Sequence, residues 1–379
     1  MRIHKAYQPS TDEQARQAFV GALKKEVNHG LESALTAHYE TTLLPKFIKA
    51  HGAPPAGRDE GHKLFADAPL FRLWGALNYL SQDLLWETCG ETVDRLKPVF
   101  EARAQDIEAG GIKGSLALDP AISLPSPIGQ TEIHRQPGGY FLGDAQGDLA
   151  AALLYTATVE IYTRAKGFKR SDSEGSTQVG RMFAAMVQKF APQLKPRRIL
   201  DMGCGVGHMA IGMKEVWPDA EVVGVDLSAS FVRLGHLWAE DMDLALDFIQ
   251  ADAAATGLES DSFDLVVSQI MFHETWHDKV PAIMREAHRL LAPNGLFFNV
   301  DIPYQPERLT LPQLVTNAWQ VEHNGEPFWT GFADTDVATA LRDAGFGAAS
   351  FTQHMSPGGG REYFIFGGSK AAADQEEAA

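Results

Sequence analysis

The chain has 379 residues, 45% of them hydrophobic and 22% charged, enough for a packed core and for two domains. Its formal net charge is −16, which argues against nucleic acid and anionic membrane surfaces as partners. No apolar run reaches the ~20 residues of a membrane span, Met1-Arg-Ile-His-Lys-Ala6 lacks an apolar signal core, and two cysteines cannot build a disulfide framework, so a reducing, cytoplasmic setting is expected.

Along the chain, the first half reads as helical. Thr11 is placed to cap a helix running to His29, and helical spacing continues over Leu31–His51 and Pro69–Lys97. Residues 110–129 are rich in glycine and proline and read as loop. Residues 132–143 read as two short strands around a turn, or as a structured loop. That stretch offers His134, Arg135 and Tyr140 beside a flexible Gly-Gly pair, a plausible substrate contact. A further helix is expected over Asp148–Lys166. Arg164–Arg170 is the only basic cluster, best read as a solvated helix end. The polar run Ser171–Ser176 marks the domain boundary, followed by a helix over Thr177–Phe190.

The second half opens on Arg198-Ile-Leu-Asp201-Met-Gly203-Cys-Gly205-Val-Gly207-His208. A short apolar strand ends in an acid, and three glycines follow, which lets the backbone pass close under a ligand. Glu221-Val-Val-Gly-Val-Asp226 is a second strand ending in an acid, placed to accept from ribose hydroxyls. The dinucleotide fingerprint needs a sixth-position glycine, and His208 stands there instead; Asp201 would also repel a pyrophosphate but suits an ammonium group. Phe248-Ile-Gln-Ala-Asp252 and Asp261-Ser-Phe-Asp-Leu-Val-Val-Ser268 supply two more strands. Residues 283–298 read as helix, Pro-Asn-Gly turn and strand. Leu341-Arg-Asp-Ala-Gly-Phe346 ends a late helix, and Glu362–Phe366 is a final strand.

In this order the blocks resemble the class I S-adenosylmethionine (SAM) methyltransferases, over roughly Lys195–Gly368. The resemblance implies an α/β, Rossmann-like seven-stranded methyltransferase domain, preceded here by a mainly α-helical N-terminal domain. The expected division is 1–175 for the helical cap, substrate or dimerisation domain, 176–370 for the SAM-binding domain, and 371–379 for a disordered tail. The resemblance assigns Asp201 to the methionine ammonium, Gly203, Gly205 and Gly207 to close backbone approach, and Asp226 to the ribose. Asp252 and Ala253 fall to the adenine, Met202 and Leu227 to packing, and Gln269 to the cofactor-contacting segment after the fourth strand. His273 and Glu274 are the candidate general base. Tyr304 and Trp329, in the long connection after the fifth strand, are further candidates for acceptor contact, as are the three residues at 134–140.

His273-Glu-Thr-Trp-His277 also spells the zinc-protease pattern, but it follows a strand directly rather than lying on a helix, and no metal is expected. The function implied is methyl transfer to a small molecule, with an oxygen or nitrogen acceptor favoured over carbon or sulfur. The rivals are a SAM-binding relative with non-methylating chemistry (cyclisation, elimination) and a non-catalytic sensor or scaffold. Lidding, pocket shaping and homodimerisation are open uses of the helical half.

Overall fold

The computed structural model describes residues 6–143, 148–165, 177–303, 305–358 and 361–372. The basic cluster from Lys166, the boundary at Ser171–Ser176, Tyr304 and the tail from 373 lie outside them.

The N-terminal part contains α1 (Thr11–Lys25), α2 (Glu32–His38), α3 (Leu44–His51), α4 (Arg58–Ala66), α5 (Pro69–Ala109) and α6 (Ala150–Ala165). Helix α1 starts one residue earlier than its sequence suggests. Ser10, not Thr11, is the cap, because Glu13 three residues on closes a capping box with it. Helix α5 does not stop at Lys97 but runs 41 residues, through Pro98. Its apolar face continues past the proline with Phe100, Ala104 and Ile107 all buried, and that burial outweighs the lost backbone bond.

The rest is a twisted sheet with helices on both faces: β1 (Ser115–Ala117), α7 (Gln178–Phe190), β2 (Arg198–Met202), α8 (His208–Val216), β3 (Glu221–Asp226), α9 (Ala229–Asp241), β4 (Asp247–Gln250), β5 (Phe263–Gln269), α10 (Val280–Leu290), β6 (Leu291–Asp301), α11 (Leu311–His323), α12 (Trp329–Ala333), α13 (Val337–Leu341), β7 (Ser350–Gly358) and β8 (Arg361–Ser369). The strand order is β1-β4-β3-β2-β5-β6-β8-β7. Strands β1 to β6 pair in parallel, and β8 runs antiparallel to both β6 and β7. The order reverses direction between β2 and β5, and ligands of open α/β sheets bind at such a switch point.

The sheet has eight strands where the resemblance implies seven. The eighth, β1, comes from the stretch read as loop and adds to the edge of β4 at Ser115↔Asp247. It is only three residues long, too short to show alternation. The expected Pro-Asn-Gly turn lies inside β6, where Asn294 takes φ 66 and the pairing with β5 shifts register. Residues 128–143 form short 3-10 turns rather than strands.

The two halves share one core. A single cluster of buried side chains contains Trp86 and Phe100 of α5, Leu153 of α6, and Ile199, Phe248 and Leu265 of the sheet. Helix α11, inserted after β6, packs in turn with the N-terminal helices: its Val315 lies in a cluster with Leu35, Phe65 and Trp74. The cap over the sheet is thus assembled from two separate pieces of chain.

Helices α7 and α8 cross with their backbones in contact. A Cβ on Gly180 would lie 2.4 Å from the Met209 carbonyl oxygen and 2.8 Å from the Gly212 Cα. Gly180→Val should therefore destabilise the protein by roughly 1–3 kcal/mol through overpacking. Gly90, on α5, has nothing within 4 Å of an added Cβ, so Gly90→Ala should stabilise by about 0.5–1 kcal/mol. Guanidinium unfolding of both variants checks this, and shifts of the same sign would contradict the packing described.

Candidate functional site

A cavity of about 970 Å³ opens at the switch point and extends under the cap. At its sheet end, β2 delivers Asp201 and runs into the glycine turn. Gly203, Gly205 and Gly207 have φ of 68°, 53° and 80°, a region costly for residues with a Cβ. A Cβ on Gly203 would also fall 2.4 Å from the Met271 sulfur. The turn is fixed by the neighbouring strand: the Gly203 and Cys204 N–H groups both donate to the Val225 carbonyl, at 2.8 and 2.9 Å.

Asp226, at the end of β3, accepts from the Gly205 N–H at 2.9 Å and from the Ser228 N–H at 3.0 Å, one bond per carboxylate oxygen. Asp201 is fully buried, and neither of its oxygens completes a hydrogen bond within the protein. Burial pushes its carboxyl up to about 8; the Ala210 N–H opposes that shift and the Asp226 charge adds to it. Asp252 accepts from the Ala254 N–H at 2.8 Å and lies 3.9 Å from the Lys279 ammonium.

The other end of the cavity is a chain of imidazoles and carboxylates. His273 Nδ1 lies 2.7 Å from Asp301 Oδ1, and His273 Nε2 lies 3.8 Å from Glu274 Oε1. That same Glu274 oxygen is 2.8 Å from His134 Nε2, and His134 Nδ1 is 2.8 Å from Glu326 Oε1. Burial opposes the charge on His134, but Glu326 and Glu274 outweigh it and hold the imidazole well above its ordinary range. Burial likewise opposes charge on His273, and Asp301 above all holds it up to about 9. Glu274 is pushed up by burial and pulled further down by His134, so it stays a carboxylate. Tyr140 is buried and Tyr155 half-buried beside it; desolvation first, then the Glu274 charge, drives both phenols up.

Local sequence explains how these groups meet. Ile270, directly after β5, takes φ 56, a strained choice for a β-branched residue. It turns the chain so that Met271 covers Gly203 and His273 faces the cavity. Asp301, at the end of the adjacent β6, receives the Phe272 N–H at 2.9 Å as well as His273. His134 and Arg135 both take positive φ, 54° and 58°. The His134 carbonyl is held by Gln82 Nε2 at 2.6 Å and Trp86 Nε1 at 2.7 Å, both from α5.

Residues 199–295 match the family model described as a methyltransferase domain. Curated relatives include a demethylmenaquinone methyltransferase from Thermus thermophilus, 35% identical over 30% of this chain and 50% of that one. A malonyl-[acyl-carrier protein] O-methyltransferase from Halorhodospira halophila is 31% identical over 42% of this chain and 52% of that one. A ubiquinone/menaquinone biosynthesis C-methyltransferase from Dinoroseobacter shibae is 32% identical over 32% and 48%. The chain spans about half the length of these relatives. A putative O-methyltransferase structure from Nostoc punctiforme aligns with TM-score 0.43 and 16% identity, covering 79% of this chain and 98% of that one. Residues 199–295 form a class I SAM-dependent methyltransferase domain.

The site of this methyltransferase domain fits its cofactor, SAM. The Asp201 carboxyl is buried with neither oxygen completing a hydrogen bond, so a cation placed beside it would favour its ionised form, and the glycine turn leaves room where a Cβ would intrude. Of the residues picked out from the sequence, Asp201, Gly203, Gly205, Asp226, Leu227, Asp252, Ala253, Gln269, His273, Glu274, His134, Tyr140 and Trp329 line the cavity. Met202 and Gly207 lie behind the turn, not in the wall. Arg135 is turned away by its left-handed backbone, pairing with Asp83 at 2.7 Å and stacking over the Tyr79 ring. Both ring nitrogens of His134 already face carboxylates, which makes it an organiser of the wall and not a free donor. Asp301 and Glu326 are site residues that the sequence reading missed. His277 is on the exposed side of its turn, beside Asp278, and among the described residues no three potential ligands cluster as a metal site.

The His273 charge also couples to stability. An imidazole raised from 6.5 to about 9 contributes fully below pH 6.5 and loses that contribution as pH rises through 9. Thermal melts across that window should show wild type losing stability with rising pH more steeply than His273→Asn. Parallel pH profiles for the two proteins would contradict the Asp301–His273 pairing.

Proposed function

We propose that this chain transfers the SAM methyl group to a small-molecule oxygen or nitrogen, and that Asp201, the glycine turn, Asp226 and Asp252 hold the cofactor. The observation that carries this reading is the pairing of an unsatisfied buried Asp201 with a hydrogen-bonded Asp226 across a glycine turn at the switch point. Asp201 faces the ammonium, Asp226 the ribose hydroxyls, and Asp252 with the Ala253 N–H the adenine. Gln269 and Leu227 contribute wall contacts. When bound, the cofactor supplies a strongly electrophilic methyl carbon.

The chain's own task is then alignment and proton handling. Fixing acceptor and methyl in line contributes up to about 7–11 kcal/mol. At neutral pH His273 is an imidazolium held by Asp301, so it donates; Glu274 is the basic group that receives a proton from the acceptor atom. His134 positions Glu274 from behind. The surrounding Tyr140, Trp329 and Trp86 exclude water from the acceptor. The demethylmenaquinone and malonyl-carrier relatives support a small-molecule acceptor as a class. The helices of the 1–175 part form a cap over a 176–370 catalytic unit, with α11 completing the cap and β1 adding an edge strand to the sheet.

Calorimetry with SAM and S-adenosylhomocysteine provides the test. Wild type should bind both, and Asp226→Ala should weaken both by roughly 10–100-fold, the worth of hydrogen bonds to a charged group. Absence of binding by wild type, or undiminished binding by the variant, would overturn the assignment.

A further inference from the structure

The cap side of the cavity contains chemistry that cofactor binding does not use. Glu326 stands in the wall between α11 and α12 with its side chain 5% exposed. Its Oε1 faces His134, but its Oε2 completes no hydrogen bond. A buried acceptor atom left in this state is costly. Asn317 of α11 also lines the cavity, and its Nδ2 is likewise unsatisfied.

The charge balance points the same way. Glu326, Glu274 and Asp301 are three carboxylates sharing two imidazoles, His134 and His273. With both imidazoles protonated, one negative charge has no counterpart in the network. Among the described lining residues, Lys279 is the one lysine or arginine, and it lies beside Asp252 at the cofactor end. An anionic acceptor, carboxylate or phosphate, would meet unpaired carboxylate and no free cation there. Trp86, Tyr140, Trp276 and Trp329 supply aromatic walls, surfaces that attract cations.

We propose that Glu326 is the specificity residue for a positively charged amine on the acceptor, which Oε2 receives within aromatic walls. The ammonium so held sets orientation and need not be the methylated atom. Calling this ligand the acceptor rests on the methyltransferase reading above; the preference for an amine is a property of the cavity.

The test uses the full chain saturated with S-adenosylhomocysteine and three probes of one shape. 2-Phenylethylamine, 2-phenylethanol and phenylacetate are cationic, neutral and anionic at neutral pH. By calorimetry the amine should bind at least tenfold more tightly than phenylacetate. Glu326→Gln should shrink that ratio to about threefold or less. The idea fails if phenylacetate binds as well as the amine, if none of the three binds at millimolar concentration, or if the amine preference survives in Glu326→Gln. The wild-type ratio decides on its own should the variant not fold. If S-adenosylhomocysteine does not bind to wild type, the methyltransferase reading falls, and the three probes on the unliganded protein still decide the role of Glu326.

Discussion

Two imidazoles shared among three buried carboxylates hold the parts of this molecule in register. Asp301 ends a sheet strand, Glu274 follows another, His134 comes from the loop after the long helix α5, and Glu326 comes from the insertion between α11 and α12. Removing either imidazole from such a set leaves its carboxylate partners without a counter-charge, worth about 3–5 kcal/mol. The network therefore ties cap to sheet more specifically than the shared apolar core, which only requires that surfaces match. The consecutive left-handed residues His134 and Arg135 show how firmly it is imposed. Conformations of that kind cost of order 1–3 kcal/mol each and persist only when their surroundings fix them. Here Gln82, Trp86 and Gly325 grip the backbone while the two glutamates grip the ring.

The sheet determines where this network can form. Strands β5 and β6 are parallel neighbours with Gln269 opposite Val300, so the chain leaving β5 passes directly over Asp301. The strained Ile270 makes the turn tight enough for the Phe272 N–H and His273 to reach one carboxylate. On the other side, Ser228 Oγ caps α9 and donates to the Tyr140 carbonyl at 2.6 Å. The loop bearing His134 and Tyr140 is thereby pinned to the strand that presents Asp226. The glycine turn after β2 and the His273 segment after β5 thus leave adjacent strand tips, and one loop joins the two ends of the cavity.

What the sequence disclosed follows from range. Strand, glycine turn and acid lie within a few tens of residues, and each needs a particular residue type for a local reason; the region from Asp201 to Asp252 was therefore legible. Strand β1 was not, since three residues carry no period and its pairing with β4 is set by an edge more than a hundred residues away. Glu326 carries no local pattern: a carboxylate in a loop reads as solvated until a histidine from a distant segment is brought against it. Asp301 ends an apolar strand as Asp226 does, but its partner His273 comes from the neighbouring strand's connection. Arg135 misled for the opposite reason. It sits beside His134 in sequence, but the left-handed backbone sends its side chain out to Asp83 and Tyr79. The continuation of α5 through Pro98 was likewise decided by burial of Phe100 and Ala104, which outweighs a local helix breaker.

The acidic network also constrains how catalysis is apportioned. A carboxylate near a bound cation favours the ground state, and only an interaction that strengthens along the reaction raises the rate. When a neutral oxygen or nitrogen forms its new bond to carbon, positive charge grows on that atom and its proton becomes acidic. A carboxylate at that place is favoured more in the transition state than before it. In the proposed reaction Glu274 meets this requirement, because His134 keeps it ionised although it is largely buried. His273 cannot take the same role at neutral pH, since Asp301 keeps it protonated. His273 and Glu274 thus differ in charge at neutral pH, through partners that neither one's sequence neighbourhood reveals.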